Sequence, residues 1–570
     1  RGERAGFHDG GKYIVFRREN PFEEVRQLKL EGTKTKDLPP DTLVIYDVKN
    51  QSFSYYHAPD DVEYAENRSW MGYIVEKDHM PQPKKKRRCR IFGKKKKEVE
   101  SKGSMLYLLQ PSTGDSIRIE HVTDLYISDE TEYLAYITHV KNDSDIYQLH
   151  FYDPTTQTST LLQESTFDFK DVTLSDKKAH IAWLSTEDTA KNKIYRVHFR
   201  ALNGQEWTVD SLYSGVPEGW SPSSSGSIRF SGNEERLFFG LAPFPYNAPK
   251  DTLLDSEKTS VQVWHYQDPR IQPEQHDDLK RDLLKTYLTM LDLASGELLK
   301  LENDTIENVR IPYDQNAPIA IGWSRVPYMI ERTWEYPWKM DVYAIDLSNG
   351  NTLKTLEGIR HNLDFSPDGK TVVWYNGQDS SWYGKPSLQE GPGKMISGGI
   401  TDMIAEDING NPIEAGSYGT EGWTRDGKVL INSEFGVWVC DGLGKGTCRN
   451  ISASKVNDRI RFRLIDMDKD NEYVNLDSVL VFEAFDKDSK QEGVYTMQKA
   501  FDIPEKKWMS DHQYSLTDIA KNGSNFLFRR QGYDEFPDLW LGNTTFSKPK
   551  QLTHANPQQE EYQWGSVRLV

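Results

Sequence analysis

Seven times along the chain a polar or aromatic lead-in runs into an acidic or glycine-containing turn and then into a short apolar strand. The copies are Phe7–Phe16, Ile127–Tyr136, Leu174–Trp183, Phe230–Phe239, Phe365–Trp374, Trp423–Ile431 and Ile519–Phe528. The clearest reads Phe365-Ser-Pro-Asp-Gly-Lys-Thr-Val-Val-Trp374. Asp-Gly and Asn-Gly supply the positive φ angles of a tight hairpin, so the segments on either side pair antiparallel. A second hairpin usually follows, as in Leu43–Asn50, Leu288–Leu299 and Val342–Leu353, where strand-forming residues flank a polar turn.

Two hairpins make four strands, and four antiparallel strands recurring every 40 to 60 residues or so form one blade of a β-propeller. Radial repetition of blades hides sheet edges that would otherwise recruit other strands. The predicted fold is therefore all-β, a propeller of about eight blades, with an arrangement as two smaller propellers also open. Residues 1–557 are expected to form it. The abrupt start at Arg1-Gly-Glu-Arg4 suggests that an earlier strand precedes the sequence.

Composition narrows the class. The 15 Trp, 29 Tyr and 23 Phe suit half-buried pleated sheets. No apolar run reaches the roughly 18 residues needed to span a bilayer, so no membrane span is expected. A net charge of −17 argues against a nucleic-acid surface over the whole chain. Cys440 and Cys448 flank the turn Asp441–Thr447 and could bond across a hairpin in an oxidising compartment. Cys89 sits in a basic stretch, Pro83–Arg90 followed by Lys94–Lys97, and is expected to be unpaired. That stretch reads as a solvated insertion at 81–103 between strands of one blade, although a run of this kind also matches polyanion-binding or nuclear-targeting signals.

Two motifs invite functional readings. Asp466, Asp468, Asp470 and Asp477 occupy positions one, three, five and twelve of a calcium-type loop. The loop lacks the glycine at position six and the closing glutamate, and its flanks read as strands, so an acidic blade turn is expected and no metal is assigned. Asp407–Asn411 is a weaker version of the same pattern. Covalent machinery is not visible: Gly219-Trp-Ser-Pro-Ser223 and Gly322-Trp-Ser-Arg-Val326 lack the second glycine of a nucleophile elbow. Neither His-Glu-x-x-His nor a phosphate loop occurs, and no catalytic, cofactor or metal residue is assigned.

The blade repeats, and above all Asp534–Leu541, Gln551-Leu-Thr-His-Ala-Asn-Pro557 and Tyr562-Gln-Trp-Gly-Ser-Val-Arg-Leu-Val570, resemble the propeller of prolyl oligopeptidase family serine peptidases. That family includes dipeptidyl-peptidases and acylaminoacyl-peptidases. Val263–Pro273 and the lysine-rich insertion resemble in particular large members from Bacteroidetes-type bacteria. The resemblance implies that residues 558–570 begin a linker strand toward an α/β-hydrolase domain bearing the Ser-Asp-His triad. It implies that the propeller gates that domain and recognises short peptide substrates, and that the protein is exported to the periplasm or envelope. Phe22-Glu-Glu-Val25 is superficially similar to the paired glutamates that hold a substrate's amino terminus in dipeptidyl-peptidases. Without a helical context, Glu23 and Glu24 are expected on a solvated turn. A free-standing propeller that binds a protein or glycan partner is the alternative that the residues leave open.

Overall fold

The computed structural model describes residues 2–33, 38–57, 59–75, 104–141, 143–247, 252–259, 261–452, 459–468, 471–520, 525–543, 546 and 549–567. The chain is all-β, built from open antiparallel sheets of the β-propeller kind. Among the described residues there are nine sheets, seven of them four-stranded with strands in sequence order. This is close to the eight blades that the repeats predict.

In at least three of the repeats the turn is held by its own side chains. Ser366 Oγ donates to Asp368 Oδ1 at 2.6 Å while accepting from the Thr371 backbone at 2.9 Å, and Gly369 takes φ 70°. Thr424 repeats the arrangement with Asp426 and Lys428, and Ser231 with Asn233 and Arg236. The hydroxyl thus occupies the backbone amide that a sharp turn leaves unpaired. Past the turn the strands are apolar on both faces: Met71–Val75 and Ile181–Ser185 are buried throughout. Continuous burial, not alternation, is what a middle strand sandwiched between neighbouring layers requires.

Besides one five-stranded sheet, the exception to four-strandedness is a seven-stranded sheet. Its 13-residue strand Asp115–Ile127 pairs through its first half with Ser104–Gln110 and through its second with Leu134–Lys141. One long strand thereby closes one blade-sized group and opens the next.

The chain divides into two compact units. The first comprises residues 1–187, 197–208 and 512–570; the second, 188–196 and 209–511. In the first, Phe7, Ile14 and Tyr46 of the N-terminal sheet pack against Ala520 and Leu527 of the C-terminal one. In the second, Trp382 and Trp423, 0% and 2% exposed, pack with Val373, Tyr375 and the Cys440–Cys448 disulfide. Removing a side chain of this size from water contributes roughly 1.5–3 kcal/mol.

Among the described residues two α-helices interrupt the sheets. Helix α1, Phe22–Leu30, lies between Tyr13–Arg18 and Thr42–Asp47, which pair directly. Helix α2, Gln272–Leu283, lies in a long insertion between Arg236–Pro243 and Tyr287–Asp292, again a directly paired couple. Among the described residues no helix is long and apolar enough to cross a membrane. The basic insertion and Cys89 lie outside the described residues, but the strands flanking them, Met71–Val75 and Ser104–Gln110, pair with each other.

Candidate functional site

Within the first unit, three strands line one concave pocket of about 320 Å³, and two of them bring carboxylates to it. On strand Asp61–Glu63 the two-residue period puts Asp61 and Glu63 on one face, while Val62 turns inward against the core. On strand Asp115–Ile127, Leu125 is buried and Asp124 and Tyr126 face the pocket on either side of it. A register shift between Val122 and Asp124 follows His121, which adopts φ 64°. Strand Lys170–Leu174 completes the wall through Val172, Thr173 and Leu174.

The electrostatics are one-sided. Burial, with Asp61 and Asp129 nearby, pushes the Glu63 carboxyl up to about 7. Burial likewise raises Asp124, assisted by Asp168 and opposed by a hydrogen bond from Thr123 and by Lys170. Lys170 is bound to Asp168 at 2.6 Å. Burial first, and then Asp124, Asp168, Asp171 and Asp61, raise the Tyr126 phenol. Gathering carboxylates in a partly dry cleft is unfavourable on its own, and a cationic group entering it relieves both the desolvation and the mutual repulsion. The pocket is thus suited to a primary ammonium or guanidinium group. Its lining residues include no serine, cysteine or histidine.

A second cavity, of about 300 Å³, is formed by the C-terminal segment, also within the first unit. Its structure rests on Asp538, 6% exposed, which accepts hydrogen bonds from Thr553 Oγ1 (2.7 Å), Gln551 Nε2 (3.0 Å) and the Ala555 backbone (2.8 Å). One buried carboxylate thereby fastens the Gln551–Ala555 segment to strand Asp538–Asn543. Arg530 grips Glu535 with two hydrogen bonds of 2.7 and 2.9 Å while its guanidinium lies 4.0 Å from the Trp540 ring centre. Pro557–Glu561 forms a 3₁₀ turn, and Trp564 Nε1 donates to the Gln559 carbonyl.

The motifs singled out in the sequence are distributed elsewhere. Glu23 and Glu24 stand in the first turn of α1, not on the expected turn. Their negative charge favours the helix's N-terminal end, and Phe22 to Glu24 are all exposed. Asp466 and Asp468 lie in the connection between Ile460–Ile465 and Leu480–Asp486, where the Asp468 amide donates to Asp466 Oδ1 at 3.0 Å. Asp470 lies outside the described residues. Cys440 and Cys448 are joined, with Cα atoms 4.4 Å apart. Asp61, Glu63 and Asp124 were not picked out from the sequence. The single local signal is the Asp-Val-Glu alternation of one short strand.

No family model matches the chain, and no curated protein matches it. Among solved structures, it is similar to an oligogalacturonate lyase in complex with manganese at 9% identity and a TM-score of 0.30, covering 68% of this chain and 86% of that one. Similarity to Porphyromonas gingivalis dipeptidyl peptidase 4 has 10% identity and a TM-score of 0.40 over 81% of this chain. The chain spans 58% of the length of that peptidase. The β-propeller domain of the Trilobed protease from Pyrococcus furiosus is similar at 9% identity and a TM-score of 0.24, over 88% of this chain and 98% of that one.

Proposed function

We propose that the chain is the substrate-gating and peptide-recognition propeller of a prolyl oligopeptidase family serine peptidase, whose parent activity is hydrolysis of short peptides. The observation that carries the recognition role is the pocket that gathers Asp61, Glu63 and Asp124, in which burial raises the Glu63 and Asp124 carboxyls and an entering cation would relieve that cost. The C-terminal junction, fastened through Asp538, carries the resemblance that makes a peptide the class of ligand. On this reading residues 1–557 are the propeller and 558–570 start the connection to an α/β-hydrolase domain supplying the nucleophile and triad. The propeller contributes orientation: a peptide whose ammonium group is held at a fixed point presents its scissile bond at a fixed distance. Exclusion of folded proteins by a narrow entrance completes the role.

The test is the intact mass of the natural gene product together with its labelling by a serine-reactive fluorophosphonate. A product heavier than 65.8 kDa by about 25–30 kDa, one added hydrolase domain, that takes the label is the expected result. A product of 65.8 kDa that takes no label overturns the proposal and leaves a binding propeller.

A further inference from the structure

A further cavity of the first unit, of about 210 Å³, is built on one face of its N-terminal sheet. Strands Tyr13–Arg18, Thr42–Asp47 and Ser52–His57 pair in register, so Phe16, Val44 and Tyr55 stand side by side in one row. The two-residue period of a strand adds Arg18 to the same face beyond Phe16, and Phe53 next to Tyr55. Phe16 and Val44, 8% and 1% exposed, are the floor, while Phe53 and Tyr55, 44% and 51% exposed, form a wall about half open to solvent. Their rings lie 6.3 Å apart and 22° from parallel.

The opposite wall is the 552–555 segment, and it is fixed in place. The Leu552 amide donates to the Leu539 carbonyl at 2.8 Å, and Thr553 Oγ1 accepts from the Leu539 amide at 2.9 Å while donating to Asp538. Arg18 is exposed, with its guanidinium 5.2 Å from the Tyr55 ring centre. It makes no hydrogen bond or ion pair with another residue among those described. No aspartate or glutamate lines the cavity, in a chain of net charge −17. Its chemistry is thus the reverse of the Asp61 pocket, with which it shares no lining residue.

We propose that this cavity binds an aromatic carboxylate, with the ring over Phe16 and Val44 against Phe53 and Tyr55, and the carboxylate on Arg18. Pockets for small molecules combine an apolar, aromatic lining with a few polar groups that fix orientation. A guanidinium fork matches both oxygens of a carboxylate, and a cation at this end disfavours an amine. The volume equals that of about seven waters, at roughly 30 Å³ each, which suits one ring and its acid group. Two sources present this chemistry: a free aromatic acid and the carboxy-terminal aromatic residue of a peptide. The proposal does not depend on the peptidase reading.

Saturation-transfer NMR titrations of the 570-residue chain test it. The probes are 3-phenylpropionate and its amide, and an amino-acetylated tripeptide ending in phenylalanine, as the acid and as the carboxy-terminal amide; acetylation removes the ammonium that the Asp61 pocket would attract. At least one acid is expected to bind with a dissociation constant of about 0.1–1 mM, and its amide at least tenfold more weakly. The tighter of the two acids identifies the source. Arg18→Gln is expected to abolish the preference for acid over amide, and Phe53→Ala with Tyr55→Ala to weaken acid binding at least tenfold. All three residues are exposed, so circular dichroism should match the parent, which separates loss of binding from loss of folding. Equal binding of acids and amides, no binding up to about 10 mM, or an undiminished preference for the acid in Arg18→Gln overturns the proposal.

Discussion

Replacing Glu63 by glutamine should make the protein more stable at alkaline pH and leave it unchanged at acid pH. Glu63 is held near 7 in the fold, against 4.5 for an ordinary glutamate. The folded state therefore binds this proton more tightly than the unfolded chain does, and stability falls as pH rises from 4.5 through 7. Fully buried, the difference would amount to about 3 kcal/mol above pH 7, at 1.36 kcal/mol for each pH step. Glu63 is only partly buried, and solvent screening reduces this to on the order of 1–2 kcal/mol. Glu63→Gln removes the charge and keeps the shape. The assay is thermal unfolding of parent and variant at pH 4.5 and pH 8. At pH 8 the variant should melt about 2–5 °C higher if the first unit unfolds cooperatively, and at pH 4.5 the two should coincide. A variant no more stable than the parent at pH 8 would refute the claim that the pocket strains its carboxylates.

Three further outcomes follow from the packing. Asp538→Asn keeps the volume but cannot accept all three hydrogen bonds, and should cost about 2–4 kcal/mol. Limited proteolysis should then cut first in the Gln551–Pro557 segment; unchanged resistance would refute the fastening role. Replacing Cys440 and Cys448 together by serine opens a loop of sequence separation 8 and should cost about 2.5 kcal/mol, read as a lower unfolding midpoint of a few degrees. Gly384→Ala would set a methyl group 2.1 Å from the Gly442 carbonyl oxygen, a backbone atom, and should destabilise by about 1–3 kcal/mol in a chemical-denaturation series.

Strands and turns were legible in the sequence because their causes are local. The Ser366–Asp368 and Thr424–Asp426 turns close through side chains two residues apart, and the apolar run after each is a buried middle strand. The hairpin around Asp441–Thr447 was visible for the same reason, whereas the Cys440–Cys448 bond depended on how closely the two Cα atoms approach. Helix α1 escaped notice because nine residues hold too few turns for a clear period, and its identity as a helix comes from an insertion between paired strands. The acidic pocket escaped for a different reason. Asp61 and Asp124 come from non-adjacent strands of the seven-stranded sheet, and what brings them to one pocket is tertiary packing, with no signature in either segment.

The central claim is that this pocket holds the cationic end of a peptide, and calorimetric titration of the 570-residue chain tests it most directly. A tripeptide with a free amino terminus and the same peptide acetylated should be compared at pH 7.5 and pH 5.5, with parent protein and with Glu63→Gln combined with Asp124→Asn. The account predicts that the free-amine peptide binds the parent at pH 7.5 and weakens about tenfold at pH 5.5, where Glu63 is protonated and no longer attracts a cation. The acetylated peptide and the double variant should show no such binding. Equal binding of the two peptides, or undiminished binding by the double variant, would contradict it.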